Sequence, residues 1–265
     1  MEIVAQRTFN LAYICLDIAF LLVFCGMLLF TKRRLTLIWA LFGGVLYFVV
    51  DYGIFHLLTH SRSISGGSMF WVLLWMSMSY GITNFAWIWL ALKKDPHFAE
   101  WTILIFTWWL ACPMLASMFK NAPLITIART TGKYHGVMGA FLFVSYLAVV
   151  IYNLRKSDKK DKFNILWLFV IGVAVQFGWE FSLLIGGIRS SLFTDGFYKL
   201  KVLITNSLVE TNLGLPAIYC IYLFTTSRIN EDLTKRNKIT FTERLRENNL
   251  ERYSKKKEKT EEECA

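Results

Sequence analysis

The sequence has little charge, little proline and no metal-binding or disulfide pattern of cysteines. Charged residues make up 18% of its 265 residues and prolines number only 4, whereas average soluble domains are about 25% charged. The 5 cysteines show no CxxC spacing, which argues against a zinc ribbon or a disulfide framework. Because 55% of the residues are hydrophobic, both a single water-soluble core and a disordered chain are excluded.

Long apolar runs occupy most of the chain. Windows of about 20 apolar residues predict seven transmembrane helices, near 9–30, 36–58, 69–92, 101–119, 135–154, 163–186 and 202–226. The predicted fold class is an all-α integral membrane protein. Residues 1–227 form its seven-helix domain and 228–265 a charged tail, and the lipid bilayer is its first expected partner.

Lysine and arginine are unevenly shared between the two sets of loops. One set, formed by 31–35, 93–95 and 155–162, is densely basic, and the basic tail falls on the same side. The positive-inside rule predicts that this side is cytoplasmic, with the N-terminus outside and the C-terminus inside, in a cell membrane or an endomembrane. This bias accounts for the formal net charge of +10, so no nucleic-acid partner is expected.

Four acidic residues, and no lysine or arginine, lie within the predicted spans: Asp17, Asp51, Glu180 and Glu210. A rise of about 1.5 Å per residue places all four in the outer half of the bilayer. An ionisable residue inside a membrane is costly and is a functional candidate by default. Since no cation within the spans neutralises them, some are expected to be protonated and able to donate a proton.

A purely structural role is the alternative for each acid, as a neutral carboxyl group that joins helices through a tyrosine, an asparagine or a backbone carbonyl. Neighbouring polar and aromatic residues favour a site instead. Gln176 lies one turn before Glu180, Asn206 shares a face with Glu210, and Gly214 with Pro216 can kink the seventh helix. The predicted catalytic residues are Glu180, Glu210 and Asp51, and the predicted substrate-binding residues are Trp179, Tyr80, Asn84, Gln176, Asn206 and Asp17.

The second and third helices resemble the sixth and seventh. The segment 48–62 aligns with 177–189 as an aromatic residue, an acid and an apolar run that ends near arginine, and 79–89 then falls on 209–219. Helix 4 becomes a linker, which gives a 3+1+3 plan of two parallel units. Such repeats place a site near their interface.

The segment WEF at 179–181, with Gln176 before it and Glu210 in the next helix, resembles a motif of the membrane-integral terpene cyclases of fungal meroterpenoid and indole-diterpene pathways. The resemblance implies a seven-helix fold in which Glu180 matches the Trp-Glu acid and Glu210 the second acid, and the two start a polyene cyclisation. In that family the Trp-Glu pair lies in the second helix, where this sequence has Val50 and Asp51.

Three functions are compatible with these features. The first is an acid-catalysed cyclase or isomerase of a lipophilic, terpenoid-like substrate. The second is a small-solute or proton-coupled transporter, although the inner halves of the helices look dry, and the third is a seven-helix receptor or assembly factor. No cofactor or metal is expected, because His56 and His60 lack a third ligand, and no lysine lies deep in helix 7 as an opsin requires.

Overall fold

A computed structural model describes residues 5–130, 134–158, 162–189 and 196–229, with 242, 243 and 246. Nearly all of the predicted tail, 228–265, lies outside the described residues. The strands are β1 (Ala5–Asn10), β2 (Arg62–Ser65) and β3 (Leu124–Arg129). The helices are α1 (Leu11–Phe30), α2 (Arg34–Phe48), α3 (Met69–Lys93), α4 (Phe98–Ser117), α5 (His135–Arg155), α6 (Ile165–Ile185), α7 (Gly196–Val209) and α8 (Leu215–Arg228).

Six helical stretches of the described chain are long and apolar enough to cross a membrane, which indicates a multi-pass membrane protein. They are Leu11–Phe30, Arg34–Leu58, Phe98–Ser117, His135–Arg155, Ile165–Ile185 and Leu203–Thr226. The 25-residue helix α3 is not one of them, because polar residues such as Ser77, Tyr80 and Asn84 lower its hydropathy. Most of α3 is buried by other helices, so its composition need not suit lipid.

Two of the predicted spans are irregular. Helix α2 continues as a π-helix, Val49–Leu58, whose only buried residue is Asp51; such segments are frequent at functional sites. The predicted kink in the seventh helix is confirmed: α7 ends at Val209, a short 3₁₀ turn spans Asn212–Gly214, and α8 begins with Pro216 in its first turn. Proline fits there because the first turn of a helix needs no N–H donor.

The strands form a three-stranded antiparallel sheet in the order β1-β3-β2, so the all-α prediction is wrong in this respect. Each strand precedes one of the helices α1, α3 and α5. Because the three strands pair with one another, these helices begin at the same end of the bundle. The N–H of Thr8 in β1 also donates to the carbonyl of Ile188, at 2.8 Å, which ties the loop after α6 to the sheet. The sheet covers the end of the bundle at which the predicted acids lie.

Helices α2 and α3 pack against each other through glycine. A Cβ atom added to Gly81 would lie 2.5 Å from the Cα of Gly44, so the two backbones are in direct contact. Small residues at such positions allow close helix packing in membranes. At the opposite end of the bundle from the sheet, Arg33 and Asp95 form a buried bidentate pair at 3.1 and 2.9 Å.

Candidate functional site

The sheet presents three arginines to the helix bundle. In its antiparallel register Arg129 lies opposite Ala5 and Arg62, and Arg7 lies opposite Ile127. Residues that face each other, or lie two apart on one strand, share a face of the sheet. Arg7, Arg62 and Arg129 therefore share the inner face with apolar residues such as Ile127, which is fully buried.

Asp51 is held by one of these arginines. The Nη2 of Arg62 donates to Oδ1 of Asp51 at 2.6 Å, and the Tyr80 hydroxyl donates to Oδ2. Arg62 and Asp51 are almost completely buried, and the guanidinium also lies over the ring of Phe55, 4.6 Å from its centroid. The acid of the second span thus joins the sheet to α3.

Glu180 is held by two arginines. Nη2 of Arg7 donates to its Oε1 at 3.3 Å, and Nε of Arg189 donates to its Oε2 at 3.0 Å. A second donor of Arg189, Nη2, reaches the same Oε2. Because both carboxylate oxygens are occupied by buried guanidinium groups, this acid joins β1 and the loop after α6 to α6 itself.

Glu210 lies at the break between α7 and α8 and is more loosely held. Its Oε2 accepts from Nε2 of Gln176 at 2.9 Å, and Nη2 of Arg129 lies 3.9 Å from its Oε1. The other side of the Gln176 amide, Oε1, accepts from the Thr211 hydroxyl at 2.6 Å. The break in the seventh helix is what allows both Glu210 and Thr211 to reach α6.

No cation within the predicted spans neutralises these three acids, but the expectation that they lie without any balancing basic residue is wrong. Arg7, Arg62, Arg129 and Arg189 lie outside the predicted spans in sequence. The first three reach the carboxylates because the sheet folds down onto the bundle, and Arg189 reaches Glu180 from the loop that follows α6. Burying an ion is costly unless a partner and hydrogen bonds compensate it. The arginines supply that compensation, so the acids are members of an ion-pair network.

Asp17 differs from the other three acids. Its Oδ2 accepts from the indole N–H of Trp75 at 3.0 Å, and its Oδ1 from that of Trp108 at 3.1 Å. Within the described part of the chain, no salt bridge reaches it. Asp17 therefore joins α1 to α3 and α4, which is the structural role that the sequence left open as an alternative.

A cavity of about 280 Å³ lies beneath the sheet, between the π-helix, α3, α6 and the break before α8. Its polar part contains both acidic and basic side chains, and its remaining walls are apolar or aromatic. It is lined by Arg7, Leu46, Tyr47, Val50, Asp51, Phe55, Tyr80, Phe85, Arg129, Met138, Gln176, Trp179, Glu210, Thr211, Leu213, Gly214 and Ile218.

Aromatic rings fix one wall of the cavity. The ring of Trp179 lies 6.0 Å from that of Tyr80 and packs edge-on against Trp109, with 5.2 Å between centroids. Tyr80 in turn contacts Tyr47 at 4.5 Å. Trp109 and Trp179 are buried, so this wall is closely packed.

The structure brings together some of the predicted site residues and separates others. Asp51, Glu210, Trp179, Tyr80 and Gln176 line the cavity. Glu180, Asp17, Asn84 and Asn206 are buried but are not among the described lining residues. Glu180 in particular lies behind Arg7, with both oxygens occupied, and so cannot touch a molecule in the cavity.

The role of the arginines was not predicted from the sequence, where arginines beside a span indicate orientation. A signal was present, because Arg7 and Phe9 flank a threonine, and Arg62 and Ile64 flank a serine. Alternation of this kind is typical of a strand with one buried face. An arginine two residues away from an apolar residue of such a strand lies on its buried face. Its charge is then buried and requires a partner.

The arginines of the sheet influence one another. Burial and repulsion from Arg129 lower the pKa of Arg62 below its ordinary value, although Asp51 opposes this. Burial also acts to lower the pKa of Arg129, but Glu210 and Asp51 outweigh it, so that its pKa lies above the ordinary value. Arg129 is therefore a permanent cation at the cavity.

The described residues contain no group of three or more histidine, cysteine or acidic side chains placed to hold a metal ion. His56 and His60 do not share a helix face, since the π-helix ends at Leu58 and His60 has a left-handed backbone with φ of 49°. The lining of the cavity offers paired ions, hydroxyl groups and aromatic rings.

No protein-family model matches the sequence, and neither a curated protein nor a solved structure matches it. The resemblance of the WEF segment to the membrane-integral terpene cyclases therefore stays a prediction.

Proposed function

We propose that the protein binds a lipid-soluble small molecule in the cavity beneath the sheet, and that this molecule enters sideways from the bilayer. The observation that carries the proposal is the position of the cavity. Leu46 and Ile218, which line it, belong to helical stretches long enough to cross a membrane, and Leu46 is 38% exposed. The apolar end of the cavity thus lies at membrane depth, whereas its polar end lies under the sheet.

The lining favours an elongated amphipathic ligand. Apolar walls with a few placed polar groups are typical of small-molecule sites. Here the polar groups, Asp51, Arg129 and Glu210, belong to the sheet end, and Leu46, Phe85 and Ile218 belong to the deeper part of the helices. A ligand can therefore place its head group under the sheet and its apolar part between α2 and α8.

We propose that α3 crosses the membrane in addition to the six long apolar stretches, which gives seven spans. The sheet then lies outside and the dense basic loops lie inside. The 3+1+3 repeat receives support from two equivalent ion pairs: Asp51 pairs with Arg62, and Glu180 pairs with Arg189, the arginines with which the aligned segments end. Labelling with a membrane-impermeant thiol reagent tests the orientation. Ser63→Cys in β2 should react in intact cells, and Arg34→Cys only after the cells are opened.

A transport function has less support than binding. Below the cavity Trp89 is buried in α3, where it stacks on Trp39 at 4.9 Å and packs against Tyr222 at 4.8 Å. These rings separate the cavity from the opposite side of the bundle, so a transported solute could pass only if they moved apart. Binding requires no such rearrangement.

Ligand binding can be tested on the full chain in nanodiscs of zwitterionic lipid. A long-chain alcohol whose tail carries bromine should quench tryptophan fluorescence, because Trp179 lines the cavity. Ile218→Trp fills the cavity and should abolish saturable quenching, whereas Ile221→Trp, on the same helix but 38% exposed, should not. Equal quenching in both variants, or no saturable quenching in the unsubstituted chain, would contradict the proposal.

Acid-catalysed cyclisation is the second candidate. Since Asp51 is paired with Arg62, the proton donor at the cavity is the Tyr80 hydroxyl, which contacts Asp51. This pair lines the cavity beside Trp179, so it can face a polyene, as Glu180 cannot. Incubation with a linear polyprenyl epoxide, followed by mass spectrometry and chromatography, distinguishes the candidates. A cyclase returns a cyclic isomer that Asp51→Asn no longer forms, whereas a binding protein returns the epoxide unchanged.

A further inference from the structure

Two of the sheet arginines keep an unused donor at the cavity. The Nε atoms of Arg7 and Arg129 are buried and, among the described residues, have no hydrogen-bond partner. Both side chains line the cavity, and the register makes them diagonal neighbours on one face of the sheet, where such residues lie roughly 7–8 Å apart. A buried donor without a partner costs free energy that a suitable acceptor would recover.

The charges around the cavity are also unbalanced. In the described part of the chain, four guanidinium groups belong to the network, from Arg7, Arg62, Arg129 and Arg189. They meet three carboxylates, those of Asp51, Glu180 and Glu210. Asp17 does not offset the difference, since it accepts from two indole N–H groups and forms no salt bridge with an arginine among the described residues. One formal positive charge is left over.

Among the four arginines, Arg129 makes the loosest direct contact with an acid. Its Nη2 lies 3.9 Å from Glu210, beyond hydrogen-bond distance, whereas Arg62 and Arg189 contact their acids directly. Arg129 therefore keeps guanidinium donors that the described acids leave unused and from which a further anionic partner can accept. It is also next to Tyr80 and Glu210 on the cavity wall.

We infer that the head group of the bound molecule is an oxyanion, a carboxylate or a monoester phosphate, which lies between Arg7 and Arg129 and neutralises the excess charge. This inference rests on the proposed function, because it names the ligand class of the same cavity. Guanidinium groups bind such oxyanions through charge-assisted hydrogen bonds, which are stronger than neutral ones. A net positive site is, in contrast, a poor environment for a carbocation.

Both arginines are charged under physiological conditions. Burial, with repulsion from Arg129 and Arg189, lowers the pKa of Arg7 to about 10, and Glu210 and Asp51 keep the pKa of Arg129 above its ordinary value. The cationic pair is thus present at neutral pH.

The experiment compares ligands with the same brominated tail and different head groups: carboxylate, phosphate, neutral alcohol and quaternary ammonium. Full-length protein in zwitterionic nanodiscs is titrated with each, and tryptophan quenching reports binding. The affinity for the carboxylate or the phosphate should be roughly ten times that for the alcohol, or higher. The affinity for the ammonium ligand should be the lowest. Tighter binding of the carboxylate would identify the head group as a carboxylate, and tighter binding of the phosphate would identify it as a phosphate monoester.

Variants of opposite expected sign make the test specific. Arg129→Gln should reduce anion affinity roughly tenfold and alcohol affinity much less, since only the anion uses the charge. Glu210→Gln removes the competing carboxylate and should increase anion affinity, a result that misfolding cannot produce. Arg34→Gln, an exposed residue at the opposite end of the bundle, should change neither affinity.

The outcomes separate the inference from the proposed function. If alcohol and anions bind equally well and Arg129→Gln and Glu210→Gln change nothing, the oxyanion inference is overturned while the binding cavity stands. If no head group gives saturable quenching, the proposed function itself fails. Tightest binding of the ammonium ligand would also overturn the inference, because it would indicate that the acids dominate the site.

Discussion

Arg62 donates to Asp51 over 2.6 Å although one residue lies in a strand and the other in the π-helix. The pair is almost completely shielded from solvent, and it fixes the position of the sheet over the second helix. Breaking a buried ion pair from one side is expensive because a charge remains without a partner.

Arg62→Met should lower the free energy of unfolding by about 3–5 kcal/mol, measured as thermal or denaturant unfolding in detergent. The double variant Arg62→Met with Asp51→Asn should recover much of this loss, because neither member of the pair is then left as a buried charge without its partner. Arg34→Met, an exposed arginine, is the control and should unfold like the unsubstituted protein. A double variant as unstable as Arg62→Met would show that the loss comes from packing.

The glycine contact between α2 and α3 gives a second prediction. Gly81→Ala would bring its Cβ to 2.5 Å from the backbone of Gly44, so the helices must separate, at a cost of about 1–3 kcal/mol. Gly26→Ala in α1 meets nothing within 4 Å and should be neutral or slightly stabilising, as alanine is the better helix former. Unfolding of both variants in the same detergent provides the comparison, and equal stabilities would contradict the close approach.

Asp17 should be needed for stability and not for binding. In Asp17→Asn, one of the two indole N–H groups, from Trp75 or Trp108, faces an amide N–H instead of an oxygen. A buried donor left without an acceptor costs about 1–3 kcal/mol. Ligand affinity should be unchanged, since Asp17 is not among the described cavity residues. A loss of affinity in correctly folded protein would bring Asp17 back into the site.

Binding of an anion should weaken at high pH. Burial, together with Arg129 and Arg189, lowers the pKa of Arg7 to about 10 while Glu180 and Glu210 oppose the shift. Arg7 is therefore charged below pH 10 and loses its proton as the pH rises through that value, so anion affinity is full below this pH and falls above it. An alkyl sulfonate, ionised throughout, is the suitable ligand. Arg7→Gln should bind weakly with a flat profile, and a flat profile in the unsubstituted protein would contradict the assignment.

The helices were largely predictable because their signal is local. The helix predicted over 135–154 is found at His135–Arg155, and that over 69–92 at Met69–Lys93. The break in the seventh helix followed from Gly214 and Pro216, whose backbone preferences depend on no distant partner. The π-helix after Phe48 was not predictable, since nothing in its sequence distinguishes it from an α-helix.

The sheet escaped prediction because its strands are short and lie between long apolar runs. β2 has only four residues, and its partner β3 is separated from it by two helices along the chain. The alternation in Arg7–Phe9 and Arg62–Ile64 was readable, but an arginine beside a membrane span is more often a determinant of orientation. Only the pairing of the strands shows which side the arginines face.

The sequence by itself determined the class of protein and the choice of candidate acids, because hydrophobic length and the cost of a charge in lipid are properties of single segments. The tertiary structure alone decided what those acids do. Arg7 and Glu180 are 173 residues apart, and their contact exists only because β1 pairs with β3 and the sheet closes the bundle. Charge compensation is a property of distances in space, so it could not be read from the order of residues along the chain.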